Sequence, residues 1–283
     1  MNQLLVEEHV RAELIADIGN ADISTELALS GRDVQASAEV RLREAGVVCG
    51  CFVAEEAFRQ LSGESRCVVH VPEGSMQPAG TSLLTIEGPA QAILSAERVA
   101  LNYLQRMSGI ATLGRQWADI ARPAGIRITG TRKTTPGFRM FEKYAIRCGT
   151  GFNHRMDLDH AVMLKDNHFA ASPHGDWEEL VRSVRARISH TMKLEAEADS
   201  LAMLEPLLRG GADIILLDNF SPDEVREAVA IIAGRAIVEV SGGVTLANLS
   251  DYLVVGVDVI STGTLSHSYR SLDIGLDFTS GGH

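Results

Sequence analysis

The stretch ADIILLDNFSPDEVREAVAIIAGRAIVEVSGG, residues 212–243, decides the fold. It opens on a short apolar run that ends in Asp218 and Asn219. Ser221 and Pro222 then read as a helix start, since proline is tolerated in the first turn, where its missing N–H has no helical partner to lose. A helical stretch over 222–233 follows, and a second apolar run over 236–242 closes on Ser241, Gly242 and Gly243. Strand, helix and strand in so short a span mean two parallel strands joined by a crossover helix.

The same rhythm extends in both directions. Strand candidates lie at 125–131, 161–167, 192–198 and 257–263, and helical stretches at 176–189, 199–210 and 245–254. No Gly-x-Gly-x-x-Gly loop accompanies them, so an α/β barrel is favoured over a doubly wound sheet. Upstream of residue 109 the pattern differs. An amphipathic helix pattern covers 1–19, and short strand-like runs at 36–43, 67–71 and 81–88 are separated by turns such as PEGSMQPAG, 72–80. This half reads as an α+β domain around a small sheet. The expected organisation is an N-terminal domain over 1–108, rejoined by 270–283, and a barrel over 109–269.

Composition narrows the function. At 45% hydrophobic and 22% charged, the 283 residues describe a globular chain. No apolar run approaches the ~20 residues of a membrane span. The N-terminus lacks the basic start and apolar core of a signal peptide, so a cytoplasmic location is expected. Cys49, Cys51, Cys67 and Cys148 show no zinc spacing, and Cys49 and Cys51 are expected to share one face of a strand as small apolar groups. The net charge of −11 gives no attraction for nucleic acid or anionic membrane. Within that acidic background Arg132, Lys133, Arg139, Lys143, Arg147, Arg155 and Lys165 cluster, with His154 and His160. Such a local cluster points to a small anionic ligand, although Arg139, Lys143 and Arg147, at helical spacing, fit a solvated helix face equally well.

Chemistry gathers at the strand ends. Thr131, Arg132 and Lys133 end the first barrel strand, and Lys165, Asp166, Asn167 and His168 the second. Glu195 and Glu197 follow on the third, then Asp218 and Asn219, then Ser241 to Gly243, and finally Ser261, Thr262, Gly263 and Thr264. In parallel barrels the C-terminal strand ends build the active site. Arginine and lysine there suit carboxylates or phosphates. Glu197 and Asp218 are hard oxygen ligands suited to Mg²⁺ on a pyrophosphate, and the small residues can offer backbone N–H groups to a phosphate. One glutamate on a strand is ordinarily a surface residue and one Ser-Gly-Gly ordinarily a turn. Their recurrence at successive strand ends is what carries the argument.

These residues also carry a resemblance. ERVALNYLQRMSGIAT (97–112), TRKTTPGFR (131–139), NHR (153–155), KDNH (165–168), EAEAD (195–199), LDN (217–219), SGG (241–243) and GVDVISTGTLSHS (256–268) resemble, in order and spacing, the motif series of quinolinate phosphoribosyltransferases. The resemblance implies an N-terminal α+β sandwich domain beside a seven-stranded α/β barrel, working as a homodimer. It implies that Arg98 reaches the neighbouring subunit's site, and that Arg132, His154, Arg155 and Lys165 hold the two carboxylates of quinolinate. Lys133, Glu197, Asp218, Ser241, Gly242, Gly243, Ser261, Gly263, Thr264 and His267 would take phosphoribosyl pyrophosphate, with Mg²⁺ on Glu197 and Asp218. The role of Glu195 is left open.

The chain departs from the family pattern at Thr150 and Asp157, where glycines are usual, at His160, where an aspartate is usual, and at Ala196 and Ala198, where valines are. Asp157 and His160 bear on the choice of acceptor. Three alternatives remain at this point: a paralogous phosphoribosyltransferase of the molybdenum-transport-associated type, a barrel lyase with Lys165 or Lys193 as Schiff base, and a non-catalytic binder of phosphorylated metabolites.

Overall fold

A computed structural model describes residues 1–279; the last four positions of the 270–283 segment lie outside the described residues. Two helices, α1 (Gln3–Ile18) and α2 (Ile23–Leu29), precede strands β1 (Gln35–Leu42) and β2 (Gly46–Val47). Helix α3 (Cys51–Leu61) leads to β3 (Arg66–Val69), β4 (Met76–Gln77) and β5 (Ser82–Pro89), and a long helix, α4 (Ala90–Ala121), follows. Then come β6 (Arg127–Gly130), α5 (Arg139–Thr150), β7 (Val162–Leu164), α6 (Asp166–Ala170), α7 (Trp177–Arg185) and β8 (Leu194–Ala198). The chain continues through α8 (Leu204–Gly210), β9 (Ile214–Asp218), α9 (Pro222–Ile232), β10 (Ile237–Ser241), β11 (Val259–Thr262), α10 (Thr264–His267) and β12 (Ile274–Thr279).

The chain divides into two compact units, one of residues 1–113, 140–149 and 269 onward, the other of 114–139 and 150–268. The first unit holds an antiparallel sheet in the order β12-β1-β5-β3. Along β1, Ala38, Val40 and Leu42 are buried at alternate positions, as the pleat requires of a sheet with one covered face. The expected break at 108 falls inside the continuous helix α4, and 140–149, which the sequence placed in the barrel, groups with the first unit. Cys51 starts α3 and Cys49 precedes it, so these thiols do not share a strand face. Both are nonetheless buried and free. The Glu73 carboxylate accepts the N–H groups of Gly50 (2.9 Å) and Cys51 (2.8 Å), satisfying donors at the start of α3 that have no helical partner.

The second unit holds the parallel sheet, in the order β6-β11-β10-β9-β8-β7. Six strands, not seven, pair in it among the described residues, because the chain between β6 and β7 is spent on a turn, α5 and an irregular segment. The helix expected over 245–254 is replaced by a 3₁₀ turn at Leu249–Tyr252. Asn248 explains this: its Oδ1 accepts the Thr245 N–H at 2.7 Å, and such side-chain bonds compete with helix formation. The stretch 199–210 begins as a 3₁₀ turn and becomes helical only at α8.

Register sets which side chains share a face. Ser241 pairs with Asp218, Glu239 with Leu216, and Glu197 with Leu216. Buried Leu194, Ala196, Ala198, Ile215, Leu217, Val238, Val240 and Ile260 occupy one parity of these strands, and the polar residues occupy the other. In the first unit, a Cβ built on Gly109 would stand 2.2 Å from the Arg270 carbonyl oxygen. Replacing Gly109 with alanine is therefore expected to destabilise the protein by about 1–3 kcal/mol, the usual cost of overpacking, seen as a lower urea midpoint.

Candidate active site

Residues of one strand parity converge on a cavity of about 340 Å³ in the second unit. Thr131 follows β6, Met163 and Lys165 belong to the β7 line, and Glu197 comes from β8. Leu216 and Asp218 come from β9, Glu239 and Ser241 from β10, and Ser261 from β11. Arg132, Lys133, His154 and Arg155 complete the wall from loops. Nine of the residues singled out in the sequence thus meet in one place: Arg132, Lys133, His154, Arg155, Lys165, Glu197, Asp218, Ser241 and Ser261.

Others support that wall. A Cβ on Gly263 would lie 2.9 Å from the His267 ring and 3.1 Å from the Lys133 side chain, so the missing side chain is what allows these two residues to approach the turn. The Ser266 hydroxyl donates to the Lys133 carbonyl at 2.7 Å, and the Thr262 hydroxyl to that of Thr264 at 3.0 Å. Gly242, at φ +79°, abuts Asn219, which is itself left-handed at φ 60° and donates its N–H to the Ser241 carbonyl at 2.9 Å. The LDN and SGG motifs are therefore two sides of one contact. The Gly243 carbonyl accepts from the Asn248 side chain. Arg98 lies on α4 in the first unit, with 59% of its side chain exposed and Glu97 4.0 Å away. Asp157 and His160 are exposed and do not line the cavity; the His160 ring accepts the Met156 N–H at 3.1 Å, which makes it a local loop clamp. The Thr150 hydroxyl ties the end of α5 to Phe152. Lys193 is exposed beside Asp213 and does not line the cavity.

The charges inside are arranged in two ways. Arg155 donates to the Ala161 carbonyl at 3.1 Å. Burial and the neighbouring Arg132 charge push its guanidinium below its ordinary value. Arg132 Nε is buried with no hydrogen-bond partner among the described residues. Two crowded guanidiniums, one with a spare donor, make a strong case for an anion between or beside them. Lys165 forms an ion pair with Glu197, so its amine is engaged by a carboxylate rather than free to attack a carbonyl, which disfavours Schiff-base chemistry. Asp218 accepts from the Asn219 amide at 2.8 Å.

Sequence reasoning passed over Glu239. Two residues before Ser241 on β10, it shares that residue's inward parity, and this was the available signal. Glu195 and Glu239 are only 2% and 3% exposed, and both face His154. Its Nε2 lies 3.1 Å from Glu195 and 3.5 Å from Glu239. Its Nδ1 accepts the Arg155 N–H at 2.8 Å, so the ring hydrogen sits on Nε2 and points to the glutamates. Burial, then repulsion from Glu195, push the Glu239 carboxyl up to about 7, while His154, Ser261 and Arg127 pull the other way.

The sign of the pH dependence follows. Folding raises the Glu239 value from 4.5 to about 7, so its contribution to stability is full below 4.5 and is lost as pH rises through about 7. Glu239→Gln cannot ionise. Relative to the parent it should gain stability, on the order of 1–3 kcal/mol, as pH rises from about 4 to about 8, measured by urea unfolding at both ends.

Comparison with known proteins finds relatives along nearly the whole chain. The profile described as "Quinolinate phosphoribosyl transferase, N-terminal domain" matches residues 22–108, and its C-terminal-domain counterpart matches 110–277. A probable nicotinate-nucleotide pyrophosphorylase [carboxylating] of Bacillus subtilis is 37% identical over 279 residues, 99% of this chain and 95% of that protein. The nicotinate-nucleotide pyrophosphorylase [carboxylating] of Mycobacterium leprae is 40% identical over 261 residues, 90% of each. The crystal structure of NadC from Streptococcus pyogenes superposes with a TM-score of 0.92 at 35% identity, covering 99% of both chains.

Proposed function

The chain belongs to the quinolinate phosphoribosyltransferase family, and we propose that it is a carboxylating nicotinate-nucleotide pyrophosphorylase. It transfers phosphoribosyl from phosphoribosyl pyrophosphate to quinolinate, giving nicotinate mononucleotide, CO₂ and pyrophosphate. The observation that carries this reading is the crowding of Arg132 and Arg155, with Lys165, into the same small cavity as Glu197 and Asp218. One end suits a dicarboxylate and the other a pyrophosphate. The arrangement favours this acceptor over that of a molybdenum-associated paralogue, because three cationic side chains, Arg132, Arg155 and Lys165, gather where two adjacent carboxylates would lie.

In this reading Arg132, Arg155 and Lys165 orient the acceptor so that its ring nitrogen faces the sugar C1, and His154, bonded to the Arg155 N–H and to Glu195, holds Arg155 in position. Lys133 and His267, brought together at Gly263, take donor phosphate charge. As pyrophosphate departs, the sugar gains cationic character, which nearby carboxylates offset. No enzyme nucleophile is needed, because positioning and electrostatics suffice. Glu197 and Asp218, two hard carboxylates lining one polar cavity, would hold a magnesium ion. When bound, the ion would offset charge on the leaving pyrophosphate. Arg98, half exposed and outside the cavity wall, is assigned to the partner's site in a homodimer.

The direct test is incubation with quinolinate, phosphoribosyl pyrophosphate and Mg²⁺, following nicotinate mononucleotide and CO₂; no nucleotide would sink the proposal. Arg132→Lys keeps the charge but loses the planar fork. It should weaken quinolinate affinity by roughly 1.5–3 kcal/mol and leave donor affinity nearly unchanged, as read by titration of each substrate. Mixing inactive Arg98→Ala and Lys133→Ala chains should restore roughly a quarter of the parent activity, since about half the dimers are mixed and each has one intact site. Verified subunit exchange without recovery would place Arg98 outside the partner's site.

A further inference from the structure

The proposed reaction consumes one proton: where the C2 carboxylate of quinolinate leaves, the product carries hydrogen. Resting on that reading, we infer that Glu239 supplies this proton. The geometry distinguishes it from the other acids of the cavity. Glu197 is paired with Lys165, and Asp218 accepts from Asn219. Glu195 is the nearer acceptor for the hydrogen on His154 Nε2, at 3.1 Å. Glu239 stands farther from that nitrogen, and its Oε1 is buried with no hydrogen-bond partner among the described residues. Glu239 is buried beside a second acid, a setting in which its charged form is costly and its protonated form favoured. The imidazole hydrogen goes to Glu195, and Glu239 lies in the wall of the cavity the acceptor would fill.

The step balances. Attack of the ring nitrogen on the sugar C1 breaks the bond to pyrophosphate, which leaves with the electron pair. The bond between C2 and the carboxylate then breaks. CO₂ departs and the electron pair stays on C2, beside the positively charged ring nitrogen. The Glu239 O–H proton moves to that pair, forming the C2–H bond of the product. Glu239 is left as a carboxylate, which the buried pair disfavours, so it is reprotonated from solvent before the next turnover. A buried acid whose charged form is costly is a suitable donor, because burial keeps its proton in place until a strong base appears.

The test separates the two chemical stages. In a single turnover, enzyme in excess over quinolinate is quenched at intervals, and pyrophosphate and nicotinate mononucleotide are both measured. In the parent the two should rise together. In Glu239→Gln, with folding verified by its urea transition, pyrophosphate should rise as in the parent while the mononucleotide lags by roughly 100-fold, the scale of general-acid catalysis. The parent run in D₂O gives a second reading that needs no variant: mononucleotide formation should slow and pyrophosphate formation should not. If both products slow together in the variant, or neither slows, or D₂O leaves the mononucleotide trace unchanged, the assignment to Glu239 is wrong. If the parent makes neither product, the proposed function itself fails, and that result is distinct from the others.

Discussion

A residue and its second neighbour along a strand face the same side, and in a parallel sheet with fixed register that rule applies to every strand at once. The second unit depends on this constraint. The register that pairs Ser241 with Asp218 and Glu239 with Leu216 directs one parity into helices and the other into a shared cavity. A slip of one residue on β9 would turn Asp218 away and bring Leu217 in. The apolar parity, with Ala196, Ile215, Leu217 and Val240 fully buried, makes such a slip costly. Packing on the outside of the sheet thus fixes chemistry on the inside, and the aliphatic residues of β8 to β10 are as necessary to the site as its acids.

Inside, the cavity stores unfavourable electrostatics of both signs. Arg132 and Arg155 repel each other, and Glu195 and Glu239 do the same lower on the strands. A site designed only for stability would pair these charges off, since isolated buried charges are costly. The pairing that exists is partial. Lys165 neutralises Glu197, and His154 stands between two acids. An anionic substrate would relieve the arginine pair on binding, so part of its affinity would come from strain already present in the free protein, whereas the acid pair is eased by a proton rather than by an anion.

The sequence made the parallel unit legible because its strands end in polar residues and its helices begin with recognisable caps, as at Ser221 and Pro222, where Ser221 and Glu224 form a reciprocal cap. Arg132, Lys133 and Lys165 and the acids at 197 and 218 were legible for the same reason, lying at strand ends, whereas Arg139, Lys143 and Arg147 of the same cationic cluster lie on α5 and do not line the cavity. What escaped had physical causes. The 3₁₀ turn at Leu249–Tyr252 depends on one asparagine side chain outcompeting the helix. The shift of 140–149 to the first unit depends on tertiary packing that periodicity does not encode. Gly263 looked like a turn residue, yet its function is to leave room for Lys133 and His267.

Glu239 escaped for a more instructive reason. Strand ends draw attention because they are polar, whereas this glutamate lies inside an apolar run, AIVEVSG, where a charged residue reads as an interruption. A fully buried carboxylate in such a run must be neutralised, bonded or both, and here the neighbours supply only part of that. Glu195 sits in a similar setting two residues before Glu197, and its contact with His154 explains why one strand carries two inward acids. Glu197 and Asp218, nearest the strand ends, are reached from the open cavity, and Glu195 and Glu239, lower on β8 and β10, answer to their buried neighbours. The same parity therefore produces two layers with different chemistry: an outer layer suited to binding charge and an inner layer suited to holding a proton.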